Sequence, residues 1–366
     1  MNIRTDLAYL EMAYGLAEKA RGRTSPNPCV GAVVVKDGRL AGFGYHEEAG
    51  KPHAEIVALT RAGRQAKGAT IYLTLEPCVH WGRTPPCVTS LIRAELKRAV
   101  ISAVDPNPLM NGRGIKALKR AGIKVSAGLL GEKNEKLNEA YLKFITRRVP
   151  FVTLKAAASL DGRIAAKTGH SRWISSAAAR ESTHLLRGEH DAILVGSGTV
   201  LHDNPRLTVR HSLWTGKRIM RVILDTRLRT PLDAGILSSV SHGGVLIFTG
   251  PRAPERKVGA LESKGAVVIR VPLSAAGVDL ESVLAELGKR NVTSLLVEGG
   301  SRVLTAFIEG KLADKIVLTL SPKLIGGTTA LSFLEGEGAA SIKASLPVKN
   351  VRCFPIGNDR MIEGYF

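Results

Sequence analysis

Two α/β units in tandem are what this sequence predicts, on three observations. The chain runs to 366 residues, beyond the roughly 100–200 of a typical domain. Strand-like apolar runs alternate with helix-like segments in both halves, the pattern of layered sheets flanked by helices. That alternation is interrupted where the polar stretch GEKNEKLNEAYLKFITRRVP ends at Pro150 and FVTLKAAASLDGRI starts a fresh apolar strand. The division therefore falls near 147–150, giving domains of 1–147 and 148–366.

In the first half, apolar spacing predicts a helix over 5–21, strands near Cys29–Val35 and Leu40–Tyr45, a helix after His53 and a strand at Thr70–Leu75. A helix over 86–97 and strands near Ala99–Val104 and Ile123–Ala127 follow, and then the polar helical stretch that ends the unit. In the second half DAILVG, RVILD, GVLIF, AVVIRV, SLLVEGG and KIVLTL read as strands, each followed by helical or loop material.

A hydrophobic fraction of 44% and a charged fraction of 23% are those of a globular protein, without low-complexity tracts or repeats. No run of eighteen apolar residues is present, and the N-terminus carries acids within an amphipathic pattern, unlike a signal peptide. The cytoplasm is the expected compartment, with no membrane partner. The formal charge of +20 would steer polyanions or phosphorylated small molecules toward the chain. The basic residues are dispersed and aromatics make up 5%, so phosphate-bearing small substrates are expected rather than nucleic acid.

Four cysteines, Cys29, Cys78, Cys87 and Cys353, are too few and too scattered for a disulfide framework. Cys29 and Cys353 read as small apolar fillers. Cys78 and Cys87 bracket the loop of EPCVHWGRTPPC, and KPHAEIVALTRAG sets His53 and Glu55 at a helix start. Singly, such a His is usually a satisfied surface or core residue and such cysteines are inert buried thiols. Together, one imidazole and two thiolates make a zinc set, and three protein ligands leave the fourth position open for catalysis. His-x-Glu with a distant Pro-Cys pair is the zinc deaminase arrangement, in which the Glu shuttles protons. Here eight residues rather than two separate the cysteines. The insertion brings His80, Arg83 and Thr84 to the rim, which argues against a base-flipping nucleic-acid deaminase.

TSPNPCVGAVVV at 24–35, HAE at 53–55 and EPCVHWGRTPPC at 76–87 together resemble the bifunctional riboflavin biosynthesis family, a pyrimidine deaminase fused to a reductase. The resemblance implies a cytidine-deaminase-like α/β/α first domain acting on a diaminopyrimidinone that carries a ribosylamino phosphate. It implies one zinc ion on His53, Cys78 and Cys87, with Glu55 moving a proton from water to the departing ammonia. Asn27, His80 and Arg83 are candidates for holding the ring and phosphate, or are loop structure.

The second half has neither a G-x-G-x-x-G turn after its first strand nor a Walker A lysine. Gly299 and Gly300 follow the strand SLLVE and precede a helix, either as a turn or as backbone N–H groups facing an anion. LKAAASLDGRIAAKTGHSRWISS and VGSGTVLHDNPRLTVR carry the similarity to the reductase half of the same family, whose fold is like dihydrofolate reductase and whose donor is NADPH. That similarity implies an NADPH site at Ala157, Trp173, Thr199 and Asp203, together with Gly300, Ser301, Arg302, Val303, Leu304, Thr305 and Ala306. It turns Ser171, Arg187, Leu207, Arg210 and Glu298 toward substrate. Arg187 and Arg210 suit a ribose phosphate by bidentate contact, or are solvated charges on a helix face or loop. Lys155, charged within an apolar strand, reads as an active-site residue or as half of a structural ion pair.

Consecutive deamination and reduction by one chain, which assembles as a homo-oligomer through its reductase half, is the expectation. A deaminase with a catalytically silent second domain is the alternative. An RNA-binding protein with structural zinc is a third possibility, disfavoured by the cysteine spacing and the dispersed charge.

Overall fold

The computed structural model describes residues 3–81 and 85–366. Two compact units divide it, Met1–Arg148 and Val149–Phe366.

The first unit runs α1 (Ile3–Ala17), β1 (Gly31–Lys36), β2 (Arg39–Tyr45), α2 (Ala54–Ala62), β3 (Thr70–Leu75) and α3 (Cys87–Arg93). It continues with β4 (Arg98–Ala103), α4 (Arg113–Arg120), β5 (Lys124–Ala127), α5 (Gly131–Leu137) and α6 (Glu139–Arg147). Its five-stranded sheet has the order β2-β1-β3-β4-β5. β1 pairs antiparallel with both neighbours, while β3, β4 and β5 are parallel. Alternate residues of the central strands serve opposite layers, as the two-residue strand period requires. Val34, Ile71, Leu73 and Ile101 pack with Ala58, Leu91 and Leu118 of the helices on one face. Val33, Val35, Tyr72 and Val100 meet Leu10, Ala13 and Leu16 of α1 on the other.

Two first-half expectations are corrected. The helix expected over 86–97 ends at Arg93, because Glu95 takes a left-handed backbone angle, φ 51°. The polar stretch after residue 130 is broken in two at the buried Asn138. Its side-chain oxygen accepts the Cys29 N–H (2.7 Å) and its amide donates to the Cys29 carbonyl (3.1 Å), a side-chain tie that competes with a continuous helix. Cys29 itself lies just before β1, packed with Tyr14, Ala17 and Leu137, and does fill apolar space. Cys353 does not: it is exposed.

The second unit runs β6 (Phe151–Ser159), α7 (Ala177–Glu189), β7 (Ala192–Gly196), α8 (Ser197–Asp203), β8 (Met220–Leu224), β9 (Val245–Thr249), α9 (Glu255–Glu262) and β10 (Ala266–Arg270). There follow β11 (Leu273–Ser274), β12 (Gly277–Val278), α10 (Leu280–Lys289), β13 (Ser294–Val297), α11 (Ser301–Glu309), β14 (Lys315–Ser321), β15 (Lys349–Ile356) and β16 (Asp359–Tyr365). The nine-stranded sheet has the order β10-β9-β8-β7-β13-β6-β14-β16-β15. Strands from β10 to β14 are mutually parallel, and the β15–β16 hairpin adds an antiparallel edge. Val152, Leu194, Val222 and Leu295 pack against α10 and α11 on one face, and Ile193, Ile223 and Ile247 against Val200 and α9 on the other. The sheet is thus sealed on both faces over its parallel part, which leaves the carboxyl ends of its strands as the place for a ligand. Cys353 falls on β15, the sheet edge, whose residues are mostly exposed.

Candidate active sites

His53 caps the start of α2 with extended backbone angles, φ −70° and ψ 160°, and Cys87 opens α3. Cys78 and Cys87 are brought together directly, since the Val88 N–H donates to the Cys78 carbonyl (3.2 Å) and the Cys87 N–H reaches the Cys78 Sγ (3.2 Å). His53 Nδ1 then stands 3.2 Å from the Cys87 Sγ and 3.6 Å from the Cys78 Sγ. The three donor atoms all lie within 4.8 Å of one another. One imidazole and two thiols at that spacing fit a zinc ion with a position to spare.

The electrostatics agree with a site made for a cation. The contact with Cys87 draws the Cys78 thiol down, against the effect of burial, while the contact with Cys78 and burial push Cys87 up. The two thiols are thus set apart in acidity, Cys78 toward the thiolate and Cys87 toward the thiol. Glu55, in the first turn of α2, is buried, and burial pushes its carboxyl up to about 7, with the neighbouring Cys78 adding to the shift.

Asn27, expected at the substrate ring, joins this site through a residue the sequence reading missed. Its amide lies 3.1 Å from His46 Nε2, and the His46 ring stands edge-on to His53 with centroids 5.2 Å apart. His46 is buried, and its Nδ1 lies 3.2 Å from the Pro52 carbonyl. A histidine in the short connection GYHEEAG, close before the His53 motif, was the available signal. His80 turns to Met110, with Nδ1 at 3.4 Å from the sulfur. Arg83, with Thr84, lies outside the described residues.

Glu76 was also missed. Its buried carboxylate accepts four backbone N–H groups, from Asp105 (3.2 Å), Gly112 (2.9 Å), Gly114 (2.7 Å) and Ile115 (3.2 Å). The loop that carries Met110 is thereby fastened beside Cys78, one of the three candidate metal ligands.

In the second unit two cavities open at the carboxyl ends of the strands. The smaller, about 520 Å³, is lined by Ser171, Arg187, Leu207, Arg210 and Glu298, the five expected substrate residues, and by Lys155. Ala157 and Trp173, expected at the cofactor, line this cavity too. The larger, about 710 Å³, is lined by Thr199, Asp203, Gly300, Ser301, Arg302, Val303 and Ala306. Leu304 and Thr305 line neither: Leu304 packs in the core, and the Thr305 hydroxyl donates to the Glu335 carbonyl (3.1 Å).

Arg187 departs from the expected free phosphate clamp. Its guanidinium grips both oxygens of Glu298, at 2.7 and 2.9 Å, in a largely buried pair. Burial would raise the Glu298 carboxyl, but Arg187, aided by Lys155, outweighs it and holds it at about 2. The Lys155 ammonium makes no hydrogen bond or ion pair among the described residues, and burial lowers its pKa, with Arg187 adding and Glu298 opposing. Arg210 is exposed, and its backbone N–H donates to His184 (3.3 Å), leaving the guanidinium clear of any carboxylate among the described residues. Burial, with Arg187 and Arg210 adding, brings His184 down to about 4. Leu207, buried with a left-handed φ of 50°, is strained where it faces this cavity.

Three glycines, Gly196, Gly198 and Gly300, put backbone rather than side chains into the lining of the larger cavity, a glycine floor. A Cβ on Gly196 would lie 2.8 Å from a Val303 methyl, and one on Gly299 would lie 2.9 Å from the Val303 Cβ, so only glycine lets the ends of β7 and β13 meet α11 this closely. A cavity of about 710 Å³ over a glycine floor at the strand ends fits a dinucleotide.

Comparison with known proteins agrees with both halves. Residues 3–103 match the family model for the cytidine and deoxycytidylate deaminase zinc-binding region, and residues 150–362 match that for the RibD C-terminal domain. The riboflavin biosynthesis protein RibD of Aquifex aeolicus is 44% identical over 357 residues, covering 98% of this chain and 97% of that protein. The chain belongs to the RibD family. The Escherichia coli RibD is 41% identical over 333 residues, 88% of this chain and 89% of that protein. Among solved RibD structures, that of Acinetobacter baumannii superimposes with a TM-score of 0.89 at 35% identity, covering 99% of both chains. The Thermotoga maritima protein, described as a diaminohydroxyphosphoribosylaminopyrimidine deaminase and 5-amino-6-(5-phosphoribosylamino)uracil reductase, gives 0.86 at 36% identity, covering 99% of both. As a RibD, the chain is a bifunctional enzyme of riboflavin biosynthesis, with a cytidine-deaminase-like half and a reductase half. Among the described residues no helix is long and apolar enough to cross a membrane.

Proposed function

We propose that residues 1–147 hydrolytically deaminate the diaminopyrimidinone that carries a phosphoribosylamino group, and that residues 148–366 then reduce the ribosyl chain of the product to ribityl with NADPH. The observation that carries the first step is the convergence of His53, Cys78 and Cys87 beside a buried Glu55. Zinc, when bound there, supplies a Lewis acid that makes a nucleophile of water near neutral pH. Glu55, poised at about 7, takes a proton from the attacking water and delivers it to the departing amine nitrogen. Asn27, held by His46, pairs with the pyrimidine edge.

For the reduction, NADPH supplies the hydride. Glu298, fixed as a carboxylate by Arg187, accepts sugar hydroxyls, and Arg210 holds the phosphate. Lys155, more acidic than an ordinary ammonium, gives a proton to the ring oxygen released as the ribose opens. A second copy of the chain is the reading for the β15 edge, where Val351 is exposed near Leu346 and Val348. Light scattering of the purified protein gives the oligomeric state.

The deciding experiment supplies only the deaminase substrate with NADPH and follows cofactor oxidation and ammonia release. Oxidation that stops in His53→Ala supports two consecutive steps. Ammonia without oxidation would leave a deaminase with a silent second half.

A further inference from the structure

The two cavities of the second unit share Ile164, Ser171 and Asp203. A hydride transfers only at contact distance, so a nicotinamide in the larger cavity must lie at that shared wall when the smaller one holds substrate. The rest of the dinucleotide then runs over the glycine floor toward β8. That strand lies three places from β6 in the parallel sheet, which at strand spacing is about 14 Å. The wall there consists of Leu224, Thr226, Arg229, Ala276, Val278 and Leu280. It is apolar apart from the Thr226 hydroxyl and the Arg229 guanidinium, with the Ser197 hydroxyl beside them.

Resting on the reading of this cavity as the NADPH site, we infer that Arg229 binds the 2′-phosphate of the cofactor and makes the reductase choose NADPH over NADH. The turn that carries Arg229 is pinned from within. The buried Asp225 carboxylate accepts both the N–H and the O–H of Thr230, each at 2.7 Å, and the Leu228 N–H donates to the Asp225 carbonyl (3.0 Å). Leu228 is buried at a left-handed φ of 53°, a strain that persists only where its surroundings dictate it. From the other side the β11–β12 turn presses on it, since a Cβ on Gly277 would lie 2.8 Å from the Thr226 hydroxyl.

Arg229 donates to the Ser197 hydroxyl (3.1 Å) and pairs with no carboxylate among the described residues. Arg302, the other arginine lining this cavity, faces Glu335 at 3.7 Å. A site for NADH places an acidic acceptor on the ribose 2′-hydroxyl, whereas a guanidinium, all donors, suits the doubly charged 2′-phosphate.

The test is calorimetric titration of the full-length protein, its Arg229→Ala and its Arg229→Lys variants with NADPH, NADH and adenosine 2′,5′-bisphosphate. Arg229→Ala should weaken NADPH and the bisphosphate on the order of 10- to 100-fold, leave NADH unchanged and be partly rescued by Lys. Equal weakening of NADPH and NADH, or a preference for NADPH that survives in both variants, would overturn the inference alone. Failure of the unmodified protein to bind NADPH would overturn it together with the cofactor reading.

Discussion

Arg187 of α7 and Glu298, the residue after β13, stand 111 positions apart in sequence and meet through two parallel N–H···O contacts of 2.7 and 2.9 Å. The pair fixes a carboxylate in the lining of the smaller cavity and uses up the arginine that would otherwise meet a phosphate.

Glu298→Gln should therefore destabilise the second unit by about 3 kcal/mol, because it strands a largely buried guanidinium. It should abolish NADPH oxidation and spare ammonia release. The sign with pH follows from a folded pKa of about 2, below that of the unfolded carboxyl. Its contribution is complete above the unfolded value and is lost as pH falls toward 2, which acid unfolding of the two proteins compares.

Glu55→Gln should keep one zinc per chain by metal analysis and lower the rate of ammonia release by about 10²- to 10⁴-fold, since an amide can hold the geometry but cannot carry a proton. Retained activity would remove Glu55 from the proton path. Stripping the metal with a chelator should silence ammonia release and leave NADPH binding intact.

Glu76→Ala leaves four N–H groups without their acceptor. At about 1–3 kcal/mol for each buried donor left unsatisfied, even partial rehydration costs several kcal/mol. Urea unfolding should show that loss, accompanied by weaker retention of zinc, since Cys78 lies two residues away.

His190 sits buried between α7 and β6, its Nδ1 2.7 Å from the Leu186 carbonyl and its Nε2 3.0 Å from the Thr153 hydroxyl. Burial brings it down to about 4, well below the unfolded imidazole. Stability should be undiminished above about 6.5 and fall as pH drops from there to 4, with a total near 3 kcal/mol. His190→Gln should lack this component, which denaturation at pH 7 and pH 4.5 for both chains would measure.

The candidate metal site was legible because zinc demands particular atoms, and His53, Cys78 and Cys87 offer them within two short motifs. Lys155 was legible because a charge in an apolar strand needs a reason. Glu76 was not: its partners are peptide groups from a loop about thirty residues on, and peptide groups leave no trace in residue identity. His46 contacts Asn27 and His53 and matches no ligand spacing. Strand β15 escaped because residues along it are exposed on both faces, so no two-residue alternation marks it. The helix break at Asn138 depends on a contact with Cys29, which only the folded chain brings near.

The glycine floor under the larger cavity has a bearing on how such an enzyme changes over time. A Cβ at Gly196 or Gly299 would meet Val303 at 2.8–2.9 Å, so a substitution at either would have to shift α11 as well. Change is easier at the rim, where Arg229 stands on a turn anchored by its own Asp225. Altered cofactor preference would then arise by exchanges at that rim alone, without repacking either layer of the sheet, and a designer would find the same door open.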